Sequence, residues 1–170
     1  MPSFWNDPNL DPKRQYRFRV TFGNVIQDYF IKSVSKPSYN VGSTSHVYLT
    51  HTFNFPTRVT WNDINMTLVD PGNPDVTKAL MDIIRNAGYI PPENPNTKTT
   101  ITTICRSKFV KAIGNIVISQ IDCEGNSIET WTLKNAFFTS VNFGNLAYSS
   151  DDMVEVALTI KYDYAILTKN

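Results

Sequence analysis

The sequence is short of the residues that do chemistry. Two histidines and two cysteines in 170 residues are too few to make a zinc site expected. His46 and His51 stand five positions apart, and on a single strand that spacing puts them on opposite faces, which spoils a shared metal. Both fall in a polar stretch with nothing rigid to orient them, so neither makes a base for a Ser–His–acid triad. No glycine-rich phosphate cradle of the GxxxxGK[ST] or GxGxxG kind is present. Asp151-Asp152 is a carboxylate pair, but a polar turn ahead of a strand accounts for it. No catalytic, cofactor-binding or metal-ligating residue is assigned, and the chain is expected not to be an enzyme.

Charge of one sign is missing too. Sixteen Lys and Arg against fifteen Asp and Glu leave a net of +1. No global field therefore favours nucleic acid or anionic lipid as the main partner. No run approaches the roughly 20 apolar residues that cross a bilayer, and the first residues lack an apolar h-region, so neither a membrane nor a secretory signal is expected. The Asn65-Met66-Thr67 sequon then reads as accidental. Cys105 and Cys123 are expected to stay thiols in an intracellular chain, with one disulfide between them as the alternative.

What is there is strand. Residues 154–164 alternate without a break. Val154, Val156, Leu158, Ile160, Tyr162 and Tyr164 take one face; Glu155, Ala157, Thr159, Lys161 and Asp163 take the other. That is about twice the usual strand of ~5–6 residues. Tyr16 to Phe22 alternates as well and stops at Gly23-Asn24. Residues 25–34 read as a second strand, broken at Lys36-Pro37. Val59, Trp61, Ile64, Met66 and Leu68 make a strand with an irregularity at Asn62-Asp63. Ile101 to Cys105 reads as a short strand, residues 115–122 and 127–135 as a hairpin, and Ala136 to Phe143 as a further strand. Trp61 and Trp131 are read as core. Phe137-Phe138 sends one ring to each face, so one of the two needs cover from the helix or a neighbour.

One helix stands out, over residues 73–88. Asn73 is placed as its cap, Pro74 at the first helical position and Asp75 at the positive end of the dipole. Val76, Ala79, Leu80, Ile83, Ile84 and Ala87 follow the helical template, and Gly88 offers a left-handed stop. Two segments have little core of their own. Residues 1–14 hold three prolines and the aromatic pair Phe4-Trp5, and read as an extended arm. Residues 38–52 are rich in Ser, Thr and Tyr and read as a polar extended hairpin or arm. The fold class is mainly β: a small barrel or sandwich of about seven or eight antiparallel strands with one flanking α-helix at about 74–87.

The closing segment WTLKNAFFTSVNFGNLAYSSDDMVEVALTIKYDYA resembles that of tail tube proteins from contractile phages, a family related to the tube proteins of type VI secretion. The resembling features are Trp131-Thr132-Leu133, Asn135-Ala136, Val141-x-Phe143-Gly144-x-Leu146 and the strand from Val154 to Tyr164. RVTWNDINMTLVDP before a capped helix, and YRFRVTF at the start, are similar to the family's middle and opening.

The resemblance implies one tail-tube-like β domain over residues 15–166, after an arm at 1–14 and before a tail at 167–170. It implies hexameric rings that self-assemble by stacking into a hollow viral tail tube, with strands of all six copies joined around a lumen through which DNA passes on ejection. The implied partners are copies of the chain itself, the tail sheath, tape measure, baseplate and tail terminator proteins, and transient DNA. The implied location is the virion, after assembly in the host cytoplasm. A two-faced strand with an open edge fits a wall completed by sister copies. Glu155, Thr159, Lys161 and Asp163 are then the candidate lumen-facing residues, and Phe4, Trp5, His46, Tyr48 and His51 the candidate inter-ring arm. The alternatives are a baseplate tube initiator of the same fold, or a monomeric β-sandwich binding module that stacks a ligand on Trp61 or Trp131.

Overall fold

The computed structural model describes residues 11–23, 26–92 and 102–169. Phe4, Trp5 and most of the proposed N-terminal arm lie outside the described residues. Ten strands and two α-helices are present among the described residues. β1 (Phe18–Phe22), β6 (Ile116–Ile121), β7 (Ser127–Lys134) and β10 (Tyr164–Lys169) form sheet I, in the order β1-β6-β7-β10. β2 (Ile31–Val34), β5 (Ile64–Val69), β9 (Glu155–Lys161) and β8 (Phe137–Asn142) form sheet II, in the order β2-β5-β9-β8. Every neighbouring pair is antiparallel. Neither sheet closes on itself, so the architecture is sandwich-like, without a closed barrel.

The alternating sequences build one core between these layers. Val20, Phe22, Ile116, Ile118 and Leu133 from sheet I join Ile64, Met66, Leu68, Val156, Leu158 and Ile160 from sheet II in a single buried cluster. Each such side chain contributes about 1.5–3 kcal/mol by leaving water. Gln120 is the one polar side chain buried with them among the described residues. Its Nε2 donates to the carbonyls of Arg14 at 2.7 Å and Arg17 at 2.6 Å, which satisfies it and fixes the approach to β1.

The helix α1 (Val76–Ala87) starts later than the sequence indicates. Asp75, not Asn73, is the N-cap, and its carboxylate accepts from the Lys78 amide at 2.8 Å. Asp70 adds a second acceptor, reached by the Val76 amide at 3.1 Å and the Thr77 hydroxyl at 2.5 Å. Two carboxylates thus satisfy the first free amides, and Pro74 stays outside the helix. Gly88 does end it, in the left-handed region at φ 113°.

A second helix, α2 (Arg106–Ile113), was not expected. Residues 102–105 are not strand, and Ile101 lies outside the described residues. The Cys105 amide donates to Ala87 O at 2.9 Å, so this helix begins docked on the end of α1. It buries only Phe109 and Ile113. Eight residues are too few to hold a helix by local propensity, so packing decides it. The segment before β2 also departs from the expected continuous strand: Asp28–Phe30 is a 3₁₀ turn that inserts Phe30 into the core.

The long final strand is two strands in two sheets. β9 ends at Lys161 and β10 begins at Tyr164, so the chain passes from sheet II to sheet I at Tyr162-Asp163. Val156, Leu158, Ile160 and Tyr162 are buried as the alternation requires, while Tyr164 is exposed. β10 continues to Lys169, so residues 167–169 are strand rather than tail. The expectation that this ribbon presents an open edge fails for β9, which is paired to β5 on one side and β8 on the other.

Candidate assembly surfaces

The open edges lie elsewhere. Sheet II offers β2 and β8; sheet I offers β1 and β10. The β1 edge is already bridged at Phe22 by Ile26. β10 keeps an exposed, largely apolar face and edge, with Tyr164, Ile166 and Leu167 each about half exposed.

The coreless arm is real, longer than expected and less polar, exposing Val41, Val47, Leu49, Phe53, Phe55 and Val59. β3 (Tyr39–Tyr48) and β4 (His51–Trp61) form a two-stranded antiparallel hairpin whose residues are exposed except for Trp61 at its root. That root is anchored by aromatic contact. Tyr39 meets Trp61 edge-on at 5.3 Å, and Trp61 meets buried Tyr162 at 5.9 Å. Asn62 Nδ2 donates to Ser38 Oγ at 3.0 Å, and Asn62 Oδ1 accepts from Asn40 Nδ2 at 2.9 Å. The irregularity at Asn62-Asp63 is therefore the hinge-like step between the arm and β5.

A bulge divides the arm. Val41 pairs with Val59, but Ser43 pairs with Pro56, so β4 carries one extra residue there. An extra residue moves every later side chain of β4 to the other face. Near the root, Tyr39, Val41, Val59 and Trp61 share one face. Toward the tip, Thr44 lies opposite Phe55, His46 opposite Phe53 and Tyr48 opposite His51, all on the other face. His46 and His51 thus share a face, contrary to the single-strand expectation, because the chain turns between them. Among the described residues no group of three potential ligands completes a metal site.

Glu155, Thr159 and Lys161 lie on the outer face of sheet II, as their alternation requires. Lys32 forms an ion pair with Glu155, and Thr159 Oγ1 donates to Asn65 Oδ1 at 3.3 Å. Asp163 is not brought to that face. It sits at the crossover, where Arg106 pairs with it and Asn135 Nδ2 donates to it at 2.6 Å. Both thiols, Cys105 and Cys123, are free and exposed.

Two features had no signal in the sequence. A cleft of about 670 Å³ opens between the sheets beside β2, lined in part by Tyr16, Phe18, Val34, Gln120 and Trp131. Two of its lining residues, Lys36 and Trp131, bond Glu129, whose carboxylate is reached by Lys13, by Lys36 at 3.1 Å and by Trp131 Nε1 at 2.5 Å. Those donors, Lys13 first, hold the carboxyl down to about 2. A second cleft, of about 460 Å³, is lined by Ile104, Arg106, Phe109, Phe137, Phe138 and Thr139. Here the diphenylalanine finds its cover: Phe138 enters the core, and Phe109 of α2 lies 4.9 Å from Phe138 and 6.0 Å from Phe137.

No family model matches the chain, and no curated protein matches it by sequence. Solved structures do match. A chain of the anti-feeding prophage tube-terminating cap superposes with a TM-score of 0.70 at 17% identity, covering 100% of both chains. A chain of the sheath/tube terminator of the PVC extracellular contractile injection system gives 0.67 at 21% identity, covering 93% of this chain and 97% of that one. The protein has the fold of contractile injection system tube and cap chains. A chain of the PVC sheath–tube complex in the extended state gives 0.63 at 22% identity, covering 94% and 93%. The tube-and-cap fold therefore extends over nearly the whole chain, arm and both helices included.

Proposed function

We propose that the protein is a non-enzymatic structural subunit of a contractile tail tube, six copies to a ring and rings stacked into a hollow conduit. The observation that carries this reading is sheet II. It has four antiparallel strands, and among the described residues its edges at β2 and β8 are free. With an even number of alternating strands, β8 of one copy meets β2 of the next antiparallel, and repetition around a ring leaves no edge unpaired. The outer face of that sheet, with Glu155, Thr159 and Lys161, lines the bore, and Asp163 stands at its corner. Its mixed charge lets DNA pass without holding the phosphates, as a strongly basic wall would. The β3–β4 arm, with His46, Tyr48 and His51, makes contacts between copies, joined by Phe4 and Trp5. Tail sheath, tape measure, baseplate and terminator proteins are the partners of such a tube, and the virion tail is its location.

A terminating or initiating ring is the second reading. It is favoured by the full two-way coverage of a chain from the prophage cap structure. Electron microscopy of the purified protein separates the two: tubes of uniform bore that elongate support the tube subunit, and six-fold rings that stop at one layer support the cap or initiator. A monomer at high concentration, forming no ring with or without a nucleating partner, sinks both.

A further inference from the structure

The arm and the apolar cleft behind β8 belong to the same end of sheet II. Asp63 leads from the arm into Ile64, Ile64 pairs with Ile160 of β9, and Ile160 pairs on its other side with Phe138. The row Ile64–Ile160–Phe138 crosses the sheet from the root of the arm to the wall of the cleft. The apolar projection stands at one side of the molecule and the apolar recess at the other.

We propose that the tip face of the arm, Phe53 and Phe55, seats in the Ile104–Phe109–Phe137 cleft of a second copy of this chain. The inference rests on the assembly reading above and names the receptor for its arm. At about 3.4 Å per residue the arm is roughly 35 Å long. Phe55 and Phe53 then stand about 17 and 24 Å from the root, and every arm residue but Trp61 is exposed, so the arm stands clear of its own sheets and is open to a neighbour.

Both surfaces are starved of free charge, which matches them to each other. From Ser38 to Trp61 the arm holds no Asp or Glu, and its one permanent charge is Arg58. Among the described residues the cleft's one charged residue, Arg106, is already paired with Asp163. An aromatic pair entering there strands no unpaired ion, and about 460 Å³ accommodates the two rings. The bulge serves this directly. Without the extra residue in β4, Phe53 and Phe55 would share the face that Val59 and Trp61 turn toward the root. Because projection and recess are different patches, the contact is head-to-tail, so it propagates from copy to copy instead of ending at a dimer.

Cys105 is exposed and stands in the chain between two lining residues, Ile104 and Arg106, which makes it a built-in reporter. In a Cys123→Ser background, Thr44→Cys places a thiol opposite Phe55 without removing either ring, and Ser45→Cys places one on the other face, opposite Asn54. Assembled protein is treated with a short bismaleimide and the linked peptides are identified by mass spectrometry. The expected result is an intermolecular link from position 44 to Cys105, at least tenfold above that from position 45. Ile104→Glu, at a half-exposed position, is expected to leave folding intact and abolish assembly. Rings that form normally while positions 44 and 45 link to Cys105 equally, or not at all, overturn this inference and leave the ring reading standing. Cys105 labelled at one rate in assembled and dissociated protein also overturns it. Failure to assemble under any condition overturns both.

Discussion

Lys36 Nζ donates a 3.1 Å hydrogen bond to Glu129 Oε1, tying the link ahead of the arm to the middle of sheet I. The same carboxylate takes Lys13 and the Trp131 indole, so one acid joins the N-terminal approach, the arm link and β7. Its side chain is 13% exposed, and charge-assisted hydrogen bonds of this kind hold about 1.5–3 kcal/mol each.

Glu129→Gln is expected to lower stability at pH 7 by about 1–3 kcal/mol. A carboxyl held near 2 in the fold, against about 4.3 when unfolded, contributes stability above the unfolded value and loses it as pH falls toward 2. The wild type should therefore converge on the variant between those limits. Urea midpoints measured from pH 7 down to pH 2 test this; a constant gap would show that charge is not what Glu129 supplies.

The two faces of β9 should answer differently to charge. Val156→Asp or Leu158→Asp buries an unpaired carboxylate in the core and should cost more than ~3 kcal/mol. Lys161→Glu, on the exposed face, should leave folding intact and alter only assembly or passage. Thermal melts of the three proteins compare them, and equal tolerance would contradict the placement of the strand.

The body should fold without its arm. Asn40 and Thr60 face each other near the root, so replacing residues 41–59 by an Asn-Gly turn closes the hairpin where it begins. No residue removed is buried. The melting temperature should move by only a few degrees, roughly the effect of ~1 kcal/mol, while sedimentation shows that assembly is gone.

Gly88→Ala tests the junction of the helices. The residue sits at φ 113°, and an added Cβ would lie 2.5 Å from the Thr103 carbonyl oxygen. Stability should fall by upward of about 1 kcal/mol, because the left-handed strain adds to a clash with backbone that carries α2. A stable Ala variant in a denaturant titration would contradict the αL stop.

Alternation and glycine placement were enough to read a mainly β chain, the α1 helix with its Gly88 stop, the coreless 38–52 segment and the buried face of 156–162. These are local properties: side-chain alternation reports which face leaves water, and glycine reports a backbone that other residues avoid. The remainder was settled by contacts between distant parts of the chain. The ribbon from Val154 to Tyr164 looks unbroken because Tyr162 keeps the alternation while Asp163, held by Arg106 and Asn135, moves the chain from one sheet to the other. The helix α2 exists because it lands on α1, and its eight residues carry no such signal alone. His46 and His51 share a face because a turn and cross-strand register place them there. Pairing partners are chosen across the fold, and neither sequence spacing nor composition encodes which strand will lie beside which.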